Sequence, residues 1–175
     1  MTASTDPSEA SPGPGFVVRE VREAEMDALG ELTIAAYRDA GETDEDYYPE
    51  LRDVATRAAL VPVLVAVDEV TGRILGGVTY IPGPGPYHEG DFGDAAAFRM
   101  LAVAGDARGR GVGRALVSAA IDRARSEGCS AIGIFTRPFM SAAHRLYESL
   151  GFRRDPDLDW EFAPGERLLA YRLTL

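Results

Sequence analysis

Arg108–Leu116 reads "RGRGVGRAL". Three glycines alternate with arginines between an apolar run, "AFRMLAV" (97–103), and a segment of helical spacing from Gly111 to Glu127. A helix start presents main-chain N–H groups without acceptors and a partial positive charge. Glycines just before it let the backbone curl, so that several N–H groups converge on one anion. Phosphate is the usual guest of such a site, and Arg108, Arg110 and Arg114 add charge around it. The stretch therefore reads as a pyrophosphate cradle following a strand. A P-loop needs Lys-Ser or Lys-Thr after its second glycine, and no lysine stands there. A dinucleotide fingerprint needs Gly or Ala at its sixth place, which holds Arg114 counting from Gly109 and Leu116 counting from Gly111. From the loop alone, an arginine-decorated turn in solvent stays open as the other reading.

Outward from the loop, the chain alternates strand and helix patterns. "FVVREV" (16–21) reads as a first strand, and Glu23–Tyr37 places Met26, Leu29, Leu32 and Ala36 at helical spacing. "LRDVATRAAL" (51–60) reads as a second short helix. "VPVLVAVDEVTGRILGGVTYI" (61–81) reads as two strands joined by a turn. "PGPGPYHEGDFGD" (82–94) is a long loop of the kind that serves as a lid, a binding loop or a disordered segment. Beyond the central helix, "SAIGIFTRP" (130–138) is a buried strand. Ser141 is placed to cap a helix carrying Ala143, Leu146, Tyr147 and Leu150, and "GFRRD" and "RLLAYRLTL" close the chain as strands. Mixed strands and helices in this order give a three-layer α/β domain.

At 175 residues one domain is expected. No apolar run approaches the roughly 20 residues of a membrane helix. "MTASTDPSEASPGPG" lacks the basic start and apolar core of a secretory signal, so residues 1–15 are expected to be a disordered tail and 16–175 the domain. A lone cysteine, Cys129, provides neither an intrachain disulfide nor a metal cluster, and the expected compartment is the cytoplasm. A net charge of −10 argues against a nucleic-acid-coating protein, and the cationic loop is a local device on an acidic molecule.

"RGRGVGRAL" resembles the [Gln/Arg]-x-x-Gly-x-[Gly/Ala] acyl-CoA loop of the GNAT superfamily of N-acetyltransferases, matched by Arg108, Gly111 and Gly113. "AAHRLYESLGF" (142–152) is similar to that family's A-x-x-L-Y-E-x-x-G-F segment, at the family's separation from the loop. The likeness runs over about residues 16–175. It implies a three-layer fold whose sheet is mixed, mostly antiparallel, and splayed between strands 4 and 5. It implies acetyl-CoA as cosubstrate, no metal, no membrane or nucleic-acid partner, and an amine acceptor that is a small molecule or a peptide N-terminus. A homodimer is common in the family. By position, the main chain of Leu101, Ala102 and Val103 would bond the pantetheine arm. The N–H groups of Arg108, Gly109, Arg110, Gly111, Val112, Gly113 and Arg114 would hold the pyrophosphate. Tyr147 would donate a proton to the departing thiolate; periodicity alone makes it a core tyrosine.

Two family positions depart from the pattern: Met140 stands where Asn is frequent, and Ala97 where some relatives carry a catalytic glutamate. The base is therefore unassigned, with His88, Glu89, Asp91 and Asp94 unranked. Period-2 alternation puts Arg99 on the face of Leu101 and Val103, where it either pairs with an acid of this chain or recognises an acceptor carboxylate. "ETDEDYYPE" (42–50) and Trp160 are candidate walls of an acceptor groove. A CoA-binding sensor or scaffold without turnover is the alternative function, and an enzyme with a bulkier acyl donor a third.

Overall fold

The strand β2 (Val63–Asp68) is apolar at consecutive positions because both its faces are covered. Val63, Val65 and Val67 pack with Leu29 of helix α1 (Met26–Ala40) and Val54 of α3 (Val54–Leu60). Leu64 and Ala66 instead join Leu116, Val117 and Ala120 of α4 (Val112–Ser126). Two helical layers thus enclose one sheet. The computed structural model describes residues 15–175; of the tail expected over 1–15, all but Gly15 lies outside the described residues.

The sheet runs β1 (Phe16–Glu20), β2, β3 (Ile74–Ile81), β4 (Ala96–Val103), β5 (Ala131–Thr136), β8 (Glu166–Thr174), β6 (Arg153–Arg154), and β7 (Trp160–Ala163) pairs with β8 outside that path. All pairings are antiparallel except β4 with β5. That parallel pairing holds only at Ala96 with Ile132 and Ala97 with Gly133, after which the strands diverge toward their C-terminal ends. The mixed, mostly antiparallel sheet splayed between β4 and β5 is the architecture that the sequence implied.

Four local departures have physical causes. The helix expected over 51–60 is two pieces, α2 (Tyr48–Arg52) and α3, because the Asp53 side chain accepts from the Thr56 N–H and restarts the helix. Helix α5 (Ser141–Ser149) begins at Ser141 itself, whose N–H already bonds the Phe139 carbonyl at 3.0 Å, so Met140 is the N-cap and no side chain caps it. Strand β7 arises from a hairpin turning at Pro164 and Gly165 that the sequence pattern did not single out. The β3–β4 register shifts between Gly77 and Thr79, with Gly77 facing Ala102 and Thr79 facing Arg99. That count puts an extra residue into β4, and Met100 takes φ 56°.

Arg57 sets where α2 lies. It is buried, and its guanidinium donates to the carbonyls of Glu50, Leu51 and Asp53. These are end-of-helix carbonyls that would otherwise face apolar surroundings without donors. No helix among the described residues is long and apolar enough to cross a membrane.

Candidate active site

At the loop that opened the sequence, Gly109 and Gly111 take φ +79° and +80°, a region that favours glycine. The first main-chain bond into α4 is from the Ala115 N–H to the Gly111 carbonyl at 3.0 Å. The amides of Val112, Gly113 and Arg114 before it are the unpaired donors of a helix start. A Cβ on Gly113 would lie 3.3 Å from Leu146 and 3.5 Å from Val103, so the missing side chain keeps a slot open between β4 and α5. The arginines are tied outward: Arg108 to Asp39 at 3.5 Å, Arg110 to Asp68 at 3.4 Å and Arg114 to the Ser149 hydroxyl at 2.7 Å. Beside the slot, Ala102 and Val103 pair with β3 and Leu101 lies at the register shift, and the paired residues of β4 and β5 end at Ala97 with Gly133, before all three.

Tyr147 lies on this side of the sheet, 3% exposed, with its ring 5.5 Å from Phe98, 5.9 Å from Phe152 and 6.1 Å from Tyr171. Burial pushes its phenol well above the usual tyrosine value, so it keeps its proton at neutral pH. His144 stacks on Tyr171 and its Nε2 donates to the Arg137 carbonyl at 3.1 Å; burial lowers its pKa and favours the neutral ring.

A cavity of about 330 Å³ occupies the gap between the diverging strands. Along β5, Thr136 follows Ile132 and Ile134 on the α4 and α5 side, whereas Phe135 packs with Phe92 on the other. Both line the cavity, which therefore reaches through the sheet. Thr136 is 4% exposed, and although the residue lines the cavity its hydroxyl is buried with no hydrogen-bond partner among the described residues.

Five carboxylates and two guanidiniums line the same cavity. Glu42 is 3% exposed and holds Arg137 through both oxygens, at 3.2 Å each, which fastens the segment after α1 to the end of β5. Arg99 meets Glu89 at 2.7 Å, Glu50 at 3.5 Å and the Tyr47 hydroxyl at 3.4 Å. Burial raises the Glu89 pKa against the pull of Arg99, and pushes Tyr47 up to about 12. Trp160 and Phe162 form the rim, Trp160 edge-on to Phe135 at 6.3 Å.

Arg99 is thus not on the face of Leu101 and Val103. The extra residue breaks alternation: Phe98, Leu101 and Val103 face α4, while Arg99 and Met100 face α1 and α2. Trp160 and the 42–50 segment do meet at the cavity. Sequence reasoning missed Thr136 and Arg137 and did not single out Glu42 within 42–50, because their pairing or lack of it exists only once the segments are brought together. Ala97 is buried among Ile81, Phe92 and Ala170, so no ionisable group occupies its place.

The model of the acetyltransferase (GNAT) family matches residues 25–152. Over 92% of this chain and 98% of its own, a GCN5-related N-acetyltransferase from Kribbella flavida is 32% identical, with a TM-score of 0.68. The fold is shared with yncA from Salmonella typhimurium, solved with its cofactor acetyl-CoA, at 24% identity and TM-score 0.66 over 92% of this chain and 94% of that one. N-alpha-acetyltransferase 30 of Saccharomyces cerevisiae is 46% identical over 55 residues, 31% of this chain and 31% of that protein. The matched segments span 24%, 31% and 22% of the curated relatives' lengths.

Proposed function

The chain belongs to the acetyltransferase (GNAT) family, and from that premise we propose that it transfers an acetyl group from acetyl-CoA to a primary amine by direct attack in a ternary complex. The observation that carries this reading is the single cavity lined from both faces of the sheet, by Thr136 from one and by Arg99 and Met100 from the other. A thioester entering beside Tyr147 and an amine entering past Trp160 would meet in it.

The residues present fit acetyl-CoA: bare amides at a helix start, the empty position at Gly113 and a β4 backbone unpaired toward β5. The 111–114 amides would hold the pyrophosphate, and Leu101–Val103 would bond the pantetheine arm as a strand bonds its neighbour. Acetyl-CoA supplies an acyl carbon made electrophilic by its thioester. Tyr147, kept protonated by burial, would give its proton to the leaving sulfur. The excess of carboxylates and the aromatic rim suit an ammonium carried on an apolar body, a small amine or a peptide N-terminus. The apolar Ala97 and the Met140 cap favour a second reading, a CoA-binding protein without turnover.

Tyr147→Phe tests the first. We expect kcat to fall about 100-fold while the acetyl-CoA Kd, read by calorimetry, stays unchanged. Equal rates for the two proteins would remove Tyr147 from the mechanism. Absence of free thiol from wild type with acetyl-CoA and any primary amine would favour the second reading.

A further inference from the structure

We infer that Glu89, on the loop between β3 and β4, is the group that takes the proton from the incoming ammonium; this rests on the acetyl-transfer reading above. The loop is built to hold it. Gly90 has φ +60°, and a Cβ there would sit 2.3 Å from the Phe135 ring, so the chain lies directly on β5. Tyr87 is held at φ 65° with the Arg99 guanidinium 6.0 Å from its ring centre, and the His88 ring bonds the Ala95 carbonyl at 3.1 Å. Between these anchors Glu89 enters the cavity with its side chain 27% exposed.

The other carboxylates of the cavity are less suited. Both Glu42 oxygens are taken by Arg137 and its side chain is 2% exposed. Asp44 caps its own turn through the Asp46 N–H, and Asp46 is exposed. Glu50 stands farther from Arg99, at 3.5 Å, and is 44% exposed. Glu89 alone combines a fixed position with a free edge: Arg99 forms an ion pair with Oε1 at 2.7 Å, and no described residue pairs with Oε2. The charged and titratable groups around it are Arg99 from β4, Glu50 from α2, Tyr47 before α2, Tyr37 from α1 and Tyr87 of its own loop. Burial lifts its pKa above the ordinary glutamate value, toward that of a better base at neutral pH.

The proton balance is complete. The ammonium gives one proton to Glu89, and the freed lone pair forms the C–N bond at the thioester carbon. The C–S bond breaks and the thiolate takes the Tyr147 proton. The nitrogen then loses its second proton. Of the two it sheds, one restores Tyr147 and the other reaches solvent.

Glu89→Gln keeps a carbonyl for Arg99 and removes the base. Wild type, Glu89→Gln and Glu31→Gln are compared with acetyl-CoA and a panel of alkylamines, arylalkylamines and N-terminal peptides, following free thiol, with the acetyl-CoA Kd measured alongside. We expect Glu89→Gln to lose about 100-fold in kcat with an unchanged Kd. The deficit should shrink at least tenfold with hydroxylamine, which is already deprotonated at neutral pH, while Glu31→Gln, at an exposed carboxylate of α1 outside the cavity, stays near wild type. A Glu89→Gln rate within threefold of wild type, or a deficit equal for hydroxylamine and the alkylamines, overturns the assignment alone. No thiol from wild type with any amine, despite acetyl-CoA binding, overturns the transferase reading itself.

Discussion

Arg99 shows how much one residue changes. Strict alternation puts it on the face of Leu101 and Val103, but the extra residue at Met100, φ 56°, leaves it on the opposite face, among Glu89, Glu50 and Tyr47. A left-handed methionine is strained by about 1–3 kcal/mol, and burial of its side chain with Ile34 and Leu51 offsets this. No one-dimensional pattern reports an inserted residue whose side chain is as apolar as its neighbours. Thr136 makes the opposite point, because its identity is plain in sequence and its isolation is not. Thr136→Val should leave the free protein as stable, or raise its stability by about 1 kcal/mol, since an unpaired buried hydroxyl is removed at constant shape. The same change should leave kcat/KM near wild type, because the hydroxyl is buried beneath the cavity surface. A thermal melt and a rate assay check both; a clear loss of stability would mean the hydroxyl already has a partner.

Among elements, the 82–94 loop stood out in sequence by its length and its glycines, with a lid, a binding loop and a disordered segment all open, and nothing in the pattern ranked its acids. Its seat on Phe135 decides that. Gly90→Ala should displace the loop, both because of φ +60° and because the new Cβ meets the ring. The expected result is a fall in kcat approaching that of Glu89→Gln, with the acetyl-CoA Kd unchanged, read by initial rates and calorimetry. The donor side was more legible. The glycine loop and the "LYE" helix are each continuous in the chain, so their spacing survives folding. The acceptor side is assembled from α1, α2, the 82–94 loop, β5 and β7, joined by pairs such as Glu42 with Arg137 that lie far apart in sequence.

For the whole molecule, acid stability follows from carboxylates that arginines hold ionised. Arg19 bonds both oxygens of Glu25, holding its pKa at about 2 against 4.5. Burial opposes the charge of Asp159, but bonds from Arg154, Arg167 and the Ala170 N–H outweigh it and keep its pKa low. A pKa lower in the folded state gives stability that is present above the unfolded value and lost as pH falls through the folded one. The melting temperature should therefore drop between about pH 4.5 and 2, and Glu25→Gln should flatten part of that slope while lowering the melting temperature at pH 7. Melts across that range read both. By itself the amino-acid order determined the three-layer architecture and the glycine-rich start of the central helix, and through the family resemblance it marked Tyr147 as a candidate acid, because each signal rests on neighbours a few residues apart. Tertiary structure alone decided the two-faced cavity, the side on which Arg99 lies and which carboxylates gather around it. Burial, ion pairing and an unpaired hydroxyl are relations between distant segments, and they exist only after the strands have parted and the loops have settled over the gap.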